Sequence, residues 1–126
     1  MFNYTGAFSG FSTDDLQKAK EFYGDLLGLI VSSRNGLLEL QPTKAYKVLI
    51  YPKPNHIAAT YTVLNFMVPN IEKAVEELAA LGVQFEQYGG QIQTDPKGIS
   101  RSPMVDIAWF KDPAGNILAV IEEKKQ

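Results

Sequence analysis

The chain has 126 residues, of which 45% are hydrophobic and 21% charged, with a formal net charge of −2. That size allows one domain with a working core, and the composition excludes a disordered chain. Twelve basic against 14 acidic residues with no basic block, no cysteine and no apolar run near ~20 residues exclude a nucleic-acid footprint, a disulfide or thiolate site and a membrane span.

The start, Met1-Phe2-Asn3-Tyr4, lacks the basic and apolar regions of a secretory signal, so a cytoplasmic protein is expected. A first strand is expected over Tyr4–Phe11. A helix follows with Asp14 as its N-cap: Leu16, Ala19, Tyr23, Leu26 and Leu27 fall on one stripe, and Gly28 ends it. Next come strands Leu29–Ser33 and Leu37–Gln41, joined through Arg34-Asn35-Gly36 because Asn-Gly is a strong hairpin signal. Strand Tyr46–Tyr51 leads into the loop Pro52–Ala58, where His56, the only histidine, reads as a solvated loop residue.

Strand Tyr61–Val68 precedes a second helix, capped by Asn70, striped by Ile71, Ala74, Val75, Leu78 and Leu81, and closed by Gly82. Val83–Gln87, Met104–Lys111 and Ile117–Glu122 complete the expected strands. The intervening stretch Gly89–Pro103, rich in Gly, Pro, Thr and Ser, reads as a lid or a disordered loop. Its one guanidinium, Arg101, reads as a surface arginine, with an anionic ligand as the alternative. The order is βαβββ, then βαβββ, which argues against a doubly wound parallel sheet.

Self-comparison supports a duplicated module. At an offset of 55, Phe11 matches Phe66, and Lys18, Ala19 and Glu21 match Lys73, Ala74 and Glu76. After a one-residue gap late in the helix, Leu27-Gly28 matches Leu81-Gly82.

The stretches Asp15–Tyr23 with Leu27-Gly28-Leu29, Val68–Ala74 with Leu81-Gly82-Val83, and Trp109–Asn116 with its Asp112-Pro113-Ala114-Gly115-Asn116 turn resemble, in order and spacing, the two helices and the final hairpin of vicinal-oxygen-chelate proteins. These are the glyoxalase, bleomycin-resistance and extradiol-dioxygenase proteins. The resemblance implies an α+β fold. Two βαβββ modules, about residues 1–55 and 60–126, would form an incomplete eight-stranded barrel within a single domain over 1–126. It also implies a small molecule held in the cup and a homodimer. The turn itself has a structural reading: Pro113 fixes φ, Asp112 bonds forward to amides, and Gly115 or Asn116 takes φ > 0.

Metal-dependent relatives hold a divalent ion with His, Gln or Glu from the first and fourth strands of each module. Carried onto this sequence, those four positions are Phe8, Leu49, Val63 and Ala119, none of which offers a donor atom. The expectation is therefore a protein with no metal and no cofactor. Strand alternation turns Tyr61, Val63, Asn65 and Met67 toward the cup and leaves Thr62, Leu64, Phe66 and Val68 for the helix. It also points Glu39 inward, and Tyr51, Tyr61, Phe8 and Trp109 are expected to give the cup an aromatic lining. On the seventh strand the parity is open between Asp106, with Ala108 and Phe110, and Trp109, with Ile107.

The expected ligand-binding set is thus Phe8, Glu39, Leu49, Tyr51, Tyr61, Val63, Asn65, Asp106, Trp109 and Ala119. Flat apolar surface with a few carboxylates suits a planar or cationic organic ligand. Metal-free binding of a small organic molecule is the reading. The alternatives are an isomerase, lyase or thiol-conjugate transferase in which Glu39 or another side chain replaces the metal, and a structural or regulatory dimer without a small-molecule role.

Overall fold

Each half of the chain lays down a strand, a helix and three further strands. The computed structural model describes residues 1–124 and separates into two units, Met1–Ile57 and a second beginning at Ala58. The first contains β1 (Ser9–Thr13), α1 (Leu16–Lys20) with a π-helical continuation over Glu21–Leu26, β2 (Ile30–Arg34), β3 (Leu37–Thr43) and β4 (Tyr46–Pro52). The second contains β5 (Thr62–Met67), α2 (Ile71–Ala80), β6 (Ile99–Arg101), β7 (Val105–Lys111) and β8 (Ile117–Glu123). The two sheets have the same internal order, β1-β4-β3-β2 and β5-β8-β7-β6. In each the first strand runs parallel to the last and the remaining pairs are antiparallel.

The first helix is capped by Asp15, not by Asp14. Asp15 has extended backbone (φ −147°, ψ 98°) and its carboxylate accepts from the Lys18 N–H, while Asp14 is exposed. From Asp15 to Gly28 this helix is one residue longer than the second, measured from its cap Asn70 to Gly82. The extra residue is absorbed in the π-helical stretch, where the Leu27 N–H donates to the Phe22 carbonyl, five residues back, at 2.9 Å. This widened turn keeps Tyr23 fully buried against Phe11, with ring centroids 6.2 Å apart. Both helices then end in glycines with positive φ, Gly28 at 78° and Gly82 at 98°.

Three strand expectations change. The first strand begins at Ser9, which pairs with Val48 of β4, and Tyr4–Phe8 lies ahead of that ladder. Val83–Gln87 is not a strand; its backbone meets β7 at the isolated bridge Phe85–Phe110 and through the Glu86 N–H to the Trp109 carbonyl. The sixth strand is instead Ile99–Arg101, drawn from the expected loop. Its Ile99 is 1% exposed and pairs with Ala108 on the same edge of β7. Two short segments share one strand edge, and the chain between them loops outward.

Asn35 (φ 51°) and Gly36 (φ 78°) form the expected β2–β3 turn, both in the left-handed region that such a tight hairpin demands. The sheet cores lie on the helix sides. Leu38, Leu40, Val48 and Ile50 are buried in the first unit. In the second, Ile71 and Val75 of α2 are buried along with Ala108, Phe110, Leu118 and Val120 of the strands it lies against. Each large side chain buried this way contributes about 1.5–3 kcal/mol.

Candidate functional site

Cross-strand register fixes which side chains share a face. In the second unit Trp109 pairs with Ala119, and Ala119 with Asn65, so these three form one row across β7, β8 and β5. Asp106 pairs with Glu122, whose carboxylate accepts from the Ile71 N–H at 2.7 Å, which places both on the α2 side. The open parity is thereby resolved: Trp109 and Ile107 occupy the face turned away from α2, and Asp106 the other. Asp106 leaves the expected set as a correction. It is 5% exposed and is held by Arg101 at 3.4 Å and Lys124 at 3.0 Å.

A bulge sits at the start of β5, where the register slips between Thr62 and Leu64. The slip returns Thr62 to the Trp109 face, opposite Ile117, and leaves Val63 without a partner in the ladder. Sequence alternation had assigned Thr62 to the helix, and the bulge is the reason it is not there. Thr62 Oγ1 accepts the Trp109 indole N–H at 3.1 Å. The Tyr88 ring meets the indole edgewise, with centroids 5.4 Å apart and planes at 74°.

These residues line a pocket of about 750 Å³, with Tyr61, Gln91 and Ile92 among its walls. The volume falls within the range of small-molecule sites. One wall is the 87–92 loop, and that loop is tied to itself. Thr94 Oγ1 accepts from the Tyr88 N–H at 2.9 Å, the Thr94 N–H donates to the Tyr88 carbonyl at 3.1 Å, and Gln87 Nε2 donates to the Pro96 carbonyl at 3.1 Å. The sequence reading missed Tyr88, Gln91 and Ile92. The length of the loop was the only signal that pointed there.

The first unit gathers others of the expected residues. Glu39 and Leu49 are direct cross-strand partners, and Tyr51 follows two residues on along the same face. Glu39 and Leu49 line a smaller cavity of about 210 Å³ with Arg34, Asn35 and Leu37. The Glu39 side chain is 16% exposed and faces Arg34 at 3.7 Å and Lys47 at 4.0 Å, as a charge-paired strand residue does. Phe8 lies ahead of β1 and is 67% exposed, outside the sheet. His56 departs from the solvated reading: it is half-buried, and Nδ1 lies 2.6 Å from Ser12 Oγ, pinning the Pro-Asn loop to β1.

Arg101 meets Glu72 at 2.7 Å, Asp95 at 3.4 Å and Asp106 at 3.4 Å. The Glu72 hydrogen bond is foremost in raising its pKa. With three carboxylates around it, this guanidinium is committed to the fold.

The four expected ion positions carry Phe8, Leu49, Val63 and Ala119, whose side chains have no donor atom. Leu49 faces Gly10 across the β1–β4 ladder, and Ala119 faces Asn65 across the β5–β8 ladder. The facing Asn65 adds one amide oxygen to these positions, where such ions take several oxygen, imidazole or carboxylate donors. Among the described residues no three His, Cys, Asp or Glu side chains converge on a common point that could hold a metal, and no helix is long and apolar enough to cross a membrane.

Two four-stranded mixed sheets, each built as β, α and three β with one parallel pair, define the paired βαβββ class of α+β protein. The chain belongs to the Glyoxalase/Bleomycin resistance protein/Dioxygenase superfamily, whose family model matches residues 7–120. Among solved structures it is similar to TnmS3, an antibiotic binding protein from Streptomyces sp. CB03234, with 19% identity, a TM-score of 0.70, and 98% of this chain and 100% of that one covered. It is likewise similar to a glyoxalase family protein from Enterococcus faecalis, with 22% identity, a TM-score of 0.69, and 97% and 100% covered. UcmS2 matches at 18% identity and a TM-score of 0.72, over 95% and 98%. No curated protein matches the sequence.

Proposed function

We propose that this protein binds a small organic molecule in the pocket beside Trp109 and does so without the divalent ion of its metal-dependent relatives. The observation that carries the reading is the indole of Trp109, fixed by Thr62 and Tyr88 at the wall of a cavity large enough for a drug-sized ligand. A held aromatic ring offers a flat face at little entropic cost on binding. The likeness to a solved structure described as an antibiotic binding protein supports the same reading. The enzymatic alternative gains no such support, since Glu39 is paired with Arg34 and Lys47 in the other cavity. Exposed apolar side chains on the faces turned away from the helices, Ile30 and Met67 among them, support a homodimer as part of the proposal.

Trp109 is the only tryptophan, so its emission reports on this pocket alone. Titration with a panel of planar aromatic compounds is expected to quench that emission saturably and to raise the melting temperature by mass action. A panel without either response would remove the binding reading. Elemental analysis of protein purified without chelator should find no stoichiometric metal; an equivalent of zinc, nickel, iron or manganese would overturn the metal-free part.

A further inference from the structure

We propose that this pocket selects an uncharged planar aromatic that carries both a hydrogen-bond donor and an acceptor, and rejects cations and anions of the same shape. The inference rests on the binding reading above and adds the ligand class to it. None of the residues lining the cavity is Asp, Glu, Lys, Arg or His. The charges nearby in the chain are already engaged. Lys111 pairs with Glu86 at 3.5 Å, and Asp95, Asp106 and Glu72 surround Arg101. A charged ligand moved from water into this site would lose hydration and gain no counter-charge, a cost that a neutral ring system avoids.

The polar groups in the wall point to the same chemistry. The Gln87 amide is spent within the loop, donating to Pro96 and accepting from Thr94. The indole N–H is spent on Thr62. Gln91 has no such commitment among the described residues, and its amide presents a donor and an acceptor together. A ring edge bearing an imide or lactam, with N–H beside C=O, complements it. The indole, held by Thr62 and with Tyr88 set edgewise against it, supplies the stacking surface. Of the planar or cationic ligand that the sequence suggested, this proposal keeps the planar one. Glu39 lines the other cavity, and Asp106 lies on the α2 side of its sheet.

The test uses three flat tricycles of similar size and different charge: neutral lumichrome, cationic proflavine and anionic anthraquinone-2-sulfonate. Affinities for the full-length protein are measured by calorimetry and by Trp109 quenching. Lumichrome is expected to bind at least about tenfold more tightly than either charged probe. Gln91→Glu, a change at an exposed position, is expected to tighten proflavine and weaken lumichrome, bringing the two together or reversing them. Equal or tighter binding of a charged probe to the parent protein would overturn the selectivity while leaving ligand binding in place. A Q91E protein that keeps the parent order would also overturn it. Silence from all three probes in emission, calorimetry and melting temperature would remove the binding reading itself, and the ligand class with it.

Discussion

The Trp109 indole N–H donates to Thr62 Oγ1 at 3.1 Å although β7 and β5 are not neighbours, since β8 runs between them. The side chain reaches across β8 where the residue opposite Trp109 is Ala119, fully buried and small enough to lie beneath an aromatic ring. The β5 bulge completes the arrangement by placing Thr62 on that same face. A threonine, an alanine and a one-residue slip thus hold the indole in one orientation.

Thr62→Val preserves the side-chain shape and removes the acceptor. The half-buried indole N–H then lacks its partner, at a cost of about 1 kcal/mol in unfolding free energy. The Trp109 emission maximum should move to the red as the freed ring gains solvent, and lumichrome should bind more weakly. Urea melts and emission spectra of the two proteins check this. Identical spectra would mean that Thr62 does not orient the ring.

Gly98 stands where two segments of the β7 edge pass each other. Its φ is +91°, and a Cβ there would lie 2.7 Å from Phe85 Cβ and 3.3 Å from the Glu86 carbonyl oxygen. Gly98→Ala combines left-handed strain, itself about 1–3 kcal/mol, with a backbone-adjacent clash that no rotamer relieves. The denaturation midpoint should fall by at least that equivalent. The bond from the Glu86 N–H to the Trp109 carbonyl should weaken too, visible as faster amide exchange at Glu86. A variant as stable as the parent would contradict the close approach.

Local chemistry carried most of the fold into the sequence. Asn35-Gly36 marks the hairpin because both residues must take positive φ, and Asn70 and Gly82 bound α2 because a cap needs a short acceptor and a terminus needs a glycine. Alternation sorted Leu64 and Phe66 from Asn65 and Met67 correctly for the same reason. Several failures share a cause, an irregularity that alternation cannot see. The bulge at Thr62 and Val63 reversed one assignment. The π-helical turn appeared in the sequence only as a gap in the repeat. The division of the β7 edge between Phe85 and Ile99 is a competition between two distant segments for one set of backbone groups. Tyr88 and Gln91 were hidden because a loop's wall is set by its closure on itself, through Thr94 and Pro96, which have no periodic signature.

Asp112 holds the β7–β8 turn from inside. It is 5% exposed, and its carboxylate accepts from the backbone N–H groups of Ala114 and Asn116 and from Asn116 Nδ2, each at 2.9 Å. Asp112→Ala leaves those donors buried without that acceptor, at a cost of about 3 kcal/mol. Asp112→Asn keeps one oxygen acceptor and should lose roughly half as much. Chemical denaturation of both variants gives the comparison. A loss below ~0.5 kcal/mol for the alanine variant would show the turn to be held by Pro113 and Gly115 alone.

The segment leading into β6 is fastened by Asp95, whose carboxylate accepts from the Lys97 N–H at 2.8 Å and the Ile99 N–H at 3.0 Å and faces Arg101 at 3.4 Å. Burial pushes its pKa up, but the two amides and the guanidinium outweigh it, and the folded carboxyl titrates below its ordinary 3.8. A folded pKa below the unfolded one contributes stability that is complete above the unfolded value and disappears as the pH falls through the folded value. The fastening therefore holds at neutral pH and through pH 5 and weakens only below about pH 4. Asp95→Asn retains an acceptor for the turn amides but loses the charge facing Arg101. The parent should melt above the variant from pH 7 to 5, and the gap should close as the pH drops to 3. A gap of constant size over that range would assign the stabilisation to the hydrogen bonds and remove the charge from the account.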